Sequence, residues 1–296
     1  MRIVDAHHHI WRRTDLPWLL GPTQPRIFGA YDAIKRDYLI EEYLADIAGS
    51  GVEKSVYVQA NWAPNWFVDE VAWVSGVAGR TGWPHAITAY ANMMQEDARR
   101  DLDKLAAFPL MRGIRHQMHW HHNPLYRFAP DAEAVGSDAV IRNVGHLADY
   151  GFVFELQVFA GQAEAAARLV EACPEVTFVL QHAGMPENLS AEGKAQWRER
   201  IGTLARLPNV VCKVSGFGTF LRRNDPDHVA WAFGEAIDLF GAERCLFGSN
   251  FPIEKLWTDY ASLIGAFTTA ASPLSKEDRQ SVFRTCAEKV YRLTAT

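Results

Sequence analysis

Short apolar runs alternate along the chain with longer segments in which apolar residues recur at helical spacing. The runs that predict strands cover residues 3–6, 54–59, 85–90, 110–116, 151–157, 177–182, 210–215 and 245–249. The segments that predict helices cover residues 40–49, 66–79, 99–106, 138–150, 163–172, 195–207 and 228–240. A further helix is predicted over residues 276–293, with Ser275 as its N-cap. This alternation is typical of an α/β protein with a parallel sheet.

Runs such as 153–156 and 178–180 are almost wholly apolar, as expected of parallel strands that are covered on both faces. Eight strands with helices between them predict a closed (β/α)8 barrel, the TIM barrel, forming a single domain over residues 1–296. The alternative is an open doubly wound sheet, which favours a glycine-rich turn after its first strand, where this chain has three histidines. Two long irregular segments, 12–35 and 117–133, are expected to be lids or binding loops.

Composition narrows the class of protein. The chain has 296 residues, 48% of them hydrophobic, and a formal net charge of −5, which indicates a soluble globular protein with a sizeable core and argues against nucleic acid as a partner. Because no apolar run reaches the ~20 residues of a membrane span and no signal peptide is evident, we expect no membrane partner and a cytoplasmic location. The four cysteines are widely spaced without a CxxC motif, which indicates reduced thiols rather than a thiolate metal site.

The first predicted strand runs into three consecutive histidines, at positions 7 to 9. Side chains alternate along an extended strand, so His7 and His9 are expected to share one face, with Asp5 in line behind them. Two imidazoles on one face can chelate a metal or polarise a carbonyl group. The alternatives are a surface cluster and a pair buried for packing.

Active sites of such barrels lie at the carboxyl ends of the strands, and polar residues collect there in this chain. Arg115 suits a substrate carboxylate or polar oxygen, with a structural salt bridge as the alternative. Glu155 lies in an apolar strand and must be partnered by a metal, by Arg115 or by Lys213, which could also simply cap its own strand. His182 precedes a small Ala-Gly turn that lets a ligand approach. Further candidates for substrate binding are Gln59, Trp62, His116, His119, Trp120 and Lys213.

These motifs, in this order, resemble the amidohydrolase superfamily, and within it a branch of lactonases that act on sugar-acid lactones or on 2-pyrone-4,6-dicarboxylate. The resemblance runs end to end and rests on segments 5–9 (DAHHH), 51–54 (GVEK), 112–115 (RGIR), 180–184 (LQHAG), 212–216 (CKVSG), 247–252 (FGSNFP) and 287–293 (AEKVYRL).

The resemblance implies a (β/α)8 barrel in which His7, His9 and His182 surround the reaction centre. These histidines would bind a divalent metal such as zinc, with Glu155 as a further candidate ligand, or would polarise the carbonyl directly, since some lactonases of this branch work without a metal. Arg115 would hold a substrate carboxylate or hydroxyl.

One position departs from the family pattern. The eighth strand of the family normally ends in an aspartate that accepts a proton from water, and the matching residue here is Asn250. An amide cannot serve as a base near neutral pH. Glu254, Glu155 and His182 are the candidates to replace it, and Asn250 itself stays a candidate site residue.

The sequence therefore predicts a hydrolase that opens a small lactone or related ester by attack of water on a polarised carbonyl. Two alternatives stay open: a decarboxylase of a small aromatic acid, and a small-acid binder in which Asn250 marks lost catalysis. Segment 12–35 either covers the pocket or packs against a second subunit, so a homo-oligomer is also left open.

Overall fold

The computed structural model describes residues 1–293, and its centre is one sheet of eight parallel strands arranged in chain order. The strands are β1 (Ile3–His8), β2 (Val52–Val58), β3 (Ala86–Ala89), β4 (Met111–Ile114), β5 (Val153–Leu156), β6 (Phe178–Leu180), β7 (Val210–Val214) and β8 (Cys245–Phe247). All eight predicted strands are present, most of them shorter than predicted, because the chain turns out of the sheet where its polar residues begin.

The sheet closes between its first and last strands. His8 forms a parallel bridge with Phe251. The backbone N–H of Asn250 donates to the His7 carbonyl at 2.7 Å, and that of His9 donates to the Phe251 carbonyl at 2.8 Å. Together with the eight-stranded order, these contacts confirm the predicted (β/α)8 barrel.

The helices surround this barrel. They are α1 (Pro17–Leu20), α2 (Ile40–Asp46), α3 (Phe67–Thr81), α4 (Arg99–Ala106), α5 (Asp138–Gly145), α6 (Leu147–Tyr150), α7 (Ala163–Ala172), α8 (Ala191–Ala205), α9 (Pro226–Phe240), α10 (Tyr260–Ala270), α11 (Lys276–Gln280) and α12 (Cys286–Val290). The predictions for α4 and α7 agree with the structure to the residue. The predicted 276–293 helix is interrupted by a wider π turn over Ser281–Thr285, and Ser275 caps its start by accepting from the Asp278 N–H at 3.0 Å.

Helix α10 was not predicted from the sequence. Its apolar residues are spread around the helix axis, so the pattern lacks the polar face by which an amphipathic helix is recognised. Only its N-cap carries a signal: the Asp259 side chain accepts from the Ser262 N–H at 2.7 Å.

Small apolar side chains from alternate strand positions fill the lower part of the barrel, among them Val4, Val56, Val179 and Leu246. Residues of α12 and the turn after it pack onto this layer, so the C-terminal segment closes the barrel at the end opposite the predicted site.

Within residues 1–293 no helix is both long and apolar enough to cross a membrane. All four cysteines are buried and none is in a disulfide.

Candidate active site

A cavity of about 530 Å³ opens at the carboxyl ends of the strands. Five of the predicted site residues line it: His9, Arg115, His119, His182 and Asn250. Both long irregular segments form its walls, which supports the expectation that they are binding loops. The first contributes Trp18, Arg26 and Phe28, and the second contributes Leu125, Arg127 and Phe128.

Three histidine rings meet at the base of the cavity. The ring centroid of His7 lies 5.0 Å from that of His9 and 4.9 Å from that of His182. His7 is fully buried behind the other two and does not line the cavity itself. The structure therefore brings together the three histidines that the sequence singled out.

Asp5 does not stand in line with these histidines as predicted. Its carboxylate accepts from the hydroxyls of Tyr43 and Tyr260 at 2.9 and 3.1 Å, on the helix-covered side of the sheet. His8 stacks on the same Tyr43, with ring centroids 3.9 Å apart. The pairing register of β1 shifts between Asp5 and His8, and this irregularity interrupts the simple alternation of side chains on which the prediction rested.

Two of the three rings are oriented by a hydrogen bond to one ring nitrogen. Nδ1–H of His9 donates to the Val58 carbonyl at 2.7 Å. Nδ1 of His182 lies 2.8 Å from the Ser215 hydroxyl, and the ring also bonds to the Ser215 backbone. His182 Nε2 is thereby left for a ligand, as in metal-binding histidines, whereas the His9 ring also lies against the Asn250 side chain. Neither ring nitrogen of His7 has a partner among the described residues.

Burial keeps all three rings neutral. It lowers the pKa of His9 to about 3, with the positive charge of Arg115 as the next cause. The pKa values of His7 and His182 are also well below the usual range, first through burial and then through the charges of Lys213 and Arg115. Neutral imidazole carries a free lone pair, so the rings can bind a metal or accept a proton.

The turn after β6 places His182 in an unusual backbone conformation. His182 and Ala183 have φ angles of 53° and 49°, in the left-handed region that non-glycine residues rarely adopt. A Cβ atom at Gly216 would lie 2.6 Å from Nδ1 of His182, so only glycine fits beside the ring. Such local strain is typical of functional sites.

Arg115 is a cation of the cavity lining, and its charge acts on all three histidines. Its Nη2 donates to the Gln59 carbonyl, and its Nε has no partner in the described part of the chain. Burial lowers the pKa of Arg115 to about 10, so the side chain stays charged at neutral pH. The Gln59 side chain accepts from the Asn61 N–H at 2.6 Å and thus shapes the turn instead of lining the cavity.

Asn250 lies between a histidine and a carboxyl group. Its side chain lies close to the His9 ring on one side and to the Glu254 carboxyl on the other, and the Oε1 atom of Glu254 has no hydrogen-bond partner among the described residues. Glu254 is fully buried, and its Oε2 accepts from Trp257 Nε1–H at 2.8 Å. Burial raises the pKa of Glu254 to about 7, so this group exchanges a proton near neutral pH.

Glu155 and Lys213 satisfy each other. The Lys213 ammonium lies 2.8 and 2.7 Å from the two Glu155 oxygens, and both side chains are 0% exposed. Gln181 and Tyr291 also donate to the Glu155 carboxylate. The sequence left three partners open for Glu155, and the structure shows that Lys213 is the partner. Its oxygens are occupied, so it does not act as a free metal ligand, and Lys213 does not line the cavity as a substrate-binding residue.

Three other predicted substrate-binding residues lie outside the cavity lining. Trp62 packs against Trp73, with ring centroids 6.0 Å apart. Nδ1 of His116 accepts from the Met93 N–H at 3.2 Å. The Trp120 ring lies under the guanidinium of a loop arginine, 5.0 Å from its centroid. These side chains support the loops, as the packing alternatives proposed. Sequence reasoning did not single out most of the remaining lining residues, among them Arg26, Phe28 and Phe220, which lie in segments without periodicity.

The donor chemistry of the histidine trio fits a zinc-type ion, because all three rings are neutral and two are held by a second bond. Within residues 1–293, however, no group of three or more His, Cys, Asp and Glu side chains is arranged to hold a metal ion. The structure thus presents suitable donors without a complete coordination sphere.

The chain matches the amidohydrolase family model over residues 4–293. It is 32% identical to an uncharacterized protein of Sinorhizobium fredii over 98% of both chains. It is 28% identical to an L-fucono-1,5-lactonase of Burkholderia multivorans, over 98% of this chain and 96% of that one. A crystal structure of an amidohydrolase from Burkholderia multivorans with bound zinc covers 99% of this chain and 100% of its own, with 26% identity and a TM-score of 0.83. The chain therefore belongs to the amidohydrolase family of hydrolytic enzymes.

Proposed function

We propose that the protein hydrolyses a small lactone or a related ester, of a sugar acid or a dicarboxylic acid, by attack of water on a polarised carbonyl. The observation that carries this proposal is the convergence of His7, His9 and His182, all neutral, with the charged Arg115 at the base of one cavity. The similarity to L-fucono-1,5-lactonases supports the class of reaction.

A divalent metal, zinc in this proposal, would be held by His7, His9 and His182 and would supply Lewis-acid polarisation of the carbonyl. The zinc bound in the similar amidohydrolase of Burkholderia multivorans supports this assignment. Glu155 is not part of the proposed ligand set because Lys213 occupies its oxygens.

Arg115 binds and orients the substrate. Its unpartnered Nε–H is a donor for the carbonyl oxygen, the ring oxygen or an attached carboxylate. As a fixed positive charge in a largely buried site, it also stabilises the negative charge that develops on the carbonyl oxygen during attack.

The proton released by the attacking water goes to Glu254 in this proposal. Asn250 cannot accept it, but Asn250 contacts Glu254, whose pKa of about 7 suits a general base. Glu254 does not line the cavity and its Oε1 has no partner among the described residues, so in this proposal the transfer runs through a water molecule. When the bond between the carbonyl carbon and the ring oxygen breaks, Glu254 returns this proton to the ring oxygen by the same route, and the products are the carboxylic acid and the free hydroxyl.

The proposed setting is the cytoplasm, with a small-molecule substrate and neither nucleic acid nor membrane as a partner. Four buried, free cysteines and the net charge of −5 support it. Self-association of the chain stays a proposal as well.

The test is elemental analysis of the purified protein, combined with hydrolysis of a panel of sugar-acid and carboxylated lactones before and after chelation. His182→Asn is the inactive control. Near-stoichiometric zinc, with activity lost on chelation, would support the whole proposal. Hydrolysis by protein that contains no metal would support the proposed reaction and reject the proposed role of the metal. Release of CO₂ from aromatic acids, or thermal stabilisation by acids without turnover of any lactone, would instead favour the decarboxylase or the binder.

A further inference from the structure

The permanently charged residues that line the cavity are all positive. Three arginines line it, Arg26, Arg115 and Arg127, and no Asp, Glu or Lys is present among the described residues of its lining. A cavity of one charge sign favours ligands of the opposite sign. The three arginines differ, however, in the hydrogen bonds that their guanidinium groups already make within the protein.

Arg127 is committed to its own loop. Its Nε donates to the His121 carbonyl at 2.6 Å and its Nη2 to the His122 carbonyl at 2.6 Å. Its guanidinium also lies over the Trp120 ring, 5.0 Å from the centroid. We therefore assign it to loop structure. Arg115, in contrast, lies beside the histidines at the base of the cavity and serves the reacting end of the substrate.

The Arg26 side chain makes no such hydrogen bonds among the described residues. It lies half-buried in the irregular segment that follows β1, and its Nε is buried without a hydrogen-bond partner in the described part of the chain. Among residues 1–293 it forms no ion pair of 4 Å or less. A buried donor without an acceptor is costly, and native proteins usually satisfy it with a ligand or water.

The Arg26 side chain is nevertheless held in place. Its guanidinium lies 5.4 Å from the centroid of the Trp18 ring, and Trp18 is anchored by donation from its Nε1–H to the Ala60 carbonyl at 3.0 Å. Stacking on an aromatic ring pre-organises an arginine for planar recognition of a carboxylate.

Several walls of the cavity are aromatic. Trp18 and Phe28 come from the same segment, and Phe128 and Phe220 come from other loops of the cavity wall. Such walls offer faces on which a flat apolar ring can stack.

We propose that Arg26 is a specificity residue that binds a carboxylate at the far end of the substrate, so that the preferred substrates are lactones fused to or carried on an apolar ring with a remote acidic group. A neutral polyhydroxylated lactone would leave Arg26 without a counter-charge. This inference rests on the proposed lactone hydrolysis for the reacting end of the substrate only.

The test separates binding from turnover by using lactams, which share the ring shape of lactones and resist hydrolysis. The probes are the lactam analogue of dihydrocoumarin and the same lactam with a carboxylate on its benzo ring, with Kd measured by calorimetry. The wild-type protein should bind the carboxylated lactam at least about tenfold more tightly than the neutral one.

Arg26→Gln should abolish that preference without changing the affinity for the neutral lactam, and Arg26→Lys should retain part of it. Arg222→Gln is the matched control: Arg222 packs against Gly29 of the same segment but does not line the cavity, so its loss should change the preference less than twofold. The unfolding transition of each variant checks that it is folded.

Equal binding of the two lactams, failure of the carboxylated lactam to bind, or a preference that survives Arg26→Gln would each overturn the proposal. If an Arg26-dependent preference is found but no lactone is hydrolysed, neither the sugar-acid and carboxylated lactones of the panel nor dihydrocoumarin and its carboxylate, the lactonase proposal fails and the anion-binding role of Arg26 stands.

Discussion

The hydroxyl of Ser215 lies 2.8 Å from Nδ1 of His182, and this contact fixes which ring nitrogen of the histidine faces the cavity. The ring also bonds to the Ser215 backbone, so one residue orients it twice. A histidine held in this way presents Nε2 in a single orientation to whatever occupies the site.

Ser215→Ala should lower kcat roughly tenfold, since loss of such an orienting partner typically costs 10–100-fold and the backbone bond remains. Steady-state hydrolysis of an active lactone measures the effect. Ser55→Ala is the control, because the Ser55 hydroxyl is equally buried but has no partner in the described residues. Equal rates for the two variants would show that the Ser215 hydroxyl does not orient His182.

Glu155→Gln should lower the free energy of unfolding by about 3–5 kcal/mol, because it leaves the buried Lys213 ammonium without its counter-charge. Urea unfolding measures this, and adding Lys213→Met to the same chain should restore part of the loss. Glu41→Gln, the same change at an exposed position on α2, is the control and should change the free energy of unfolding by no more than about 0.5 kcal/mol. If Glu155→Gln instead lost metal at unchanged stability, Glu155 would be a ligand.

Asn250→Asp should raise the rate of hydrolysis at least about tenfold if the position is a vestigial base, since general-base catalysis is typically worth 10²–10⁴-fold. Asn61→Asp makes the same change in charge in the same cavity, also at a residue with positive φ, and should give no gain. The measurement is kcat/KM of the wild type and of both variants over a range of pH. A fall in rate for Asn250→Asp would indicate that the amide between His9 and Glu254 is itself required.

The rate of hydrolysis should rise with pH through about 7, because burial raises the pKa of Glu254 to about 7 and only the ionised carboxylate accepts a proton. Glu254→Gln should remove this inflection and lower kcat by about 10²-fold or more. A pH–rate profile that is unchanged in Glu254→Gln would assign the base to another group, with His182 as the next candidate.

Glu70 should make the protein less stable as pH rises. Burial raises the pKa of Glu70 to about 7 from its ordinary 4.5, so the folded state holds a proton that the unfolded state has lost. The contribution of Glu70 to the free energy of unfolding is therefore fully present below pH 4.5. It is lost as pH rises to 7, at up to about 1.4 kcal/mol per pH unit.

Unfolding free energies of the wild type and Glu70→Gln, measured between these pH values, should diverge with that slope. Gln can still accept from the Tyr57 hydroxyl and the Ala60 N–H, so its fold should be kept. Glu41→Gln, at an exposed position on α2, is the control for which no divergence is expected.

Strand positions and the barrel were predictable because each strand carries its own local signal. The apolar runs mark the strands, and polar residues such as Arg115 and His182 mark where the strands end. The trio of histidines followed from the same reasoning, since the carboxyl ends of parallel strands meet at one edge.

The remaining features depend on contacts between distant segments, which no local pattern encodes. The pairing of Glu155 with Lys213 joins residues 58 positions apart and was one of three partners left open by the sequence. The register shift in β1 arises from pairing with β2, and it turned Asp5 away from the site. Arg26 lies in a segment without periodicity, so only its place on the cavity wall shows its potential role.

Asp5 also accepts a hydrogen bond from the Ser249 N–H at 2.8 Å, across 244 positions of the chain. During synthesis on the ribosome, β1 and its histidines therefore cannot pair with β8 until β8 has emerged. At typical elongation rates of about 5–20 residues per second, that delay is roughly ten to fifty seconds. Throughout this interval the edge of β1 that β8 will cover is open to wrong partners. We therefore expect the yield of active protein in cells to depend on chaperones that shield the nascent N-terminal strand.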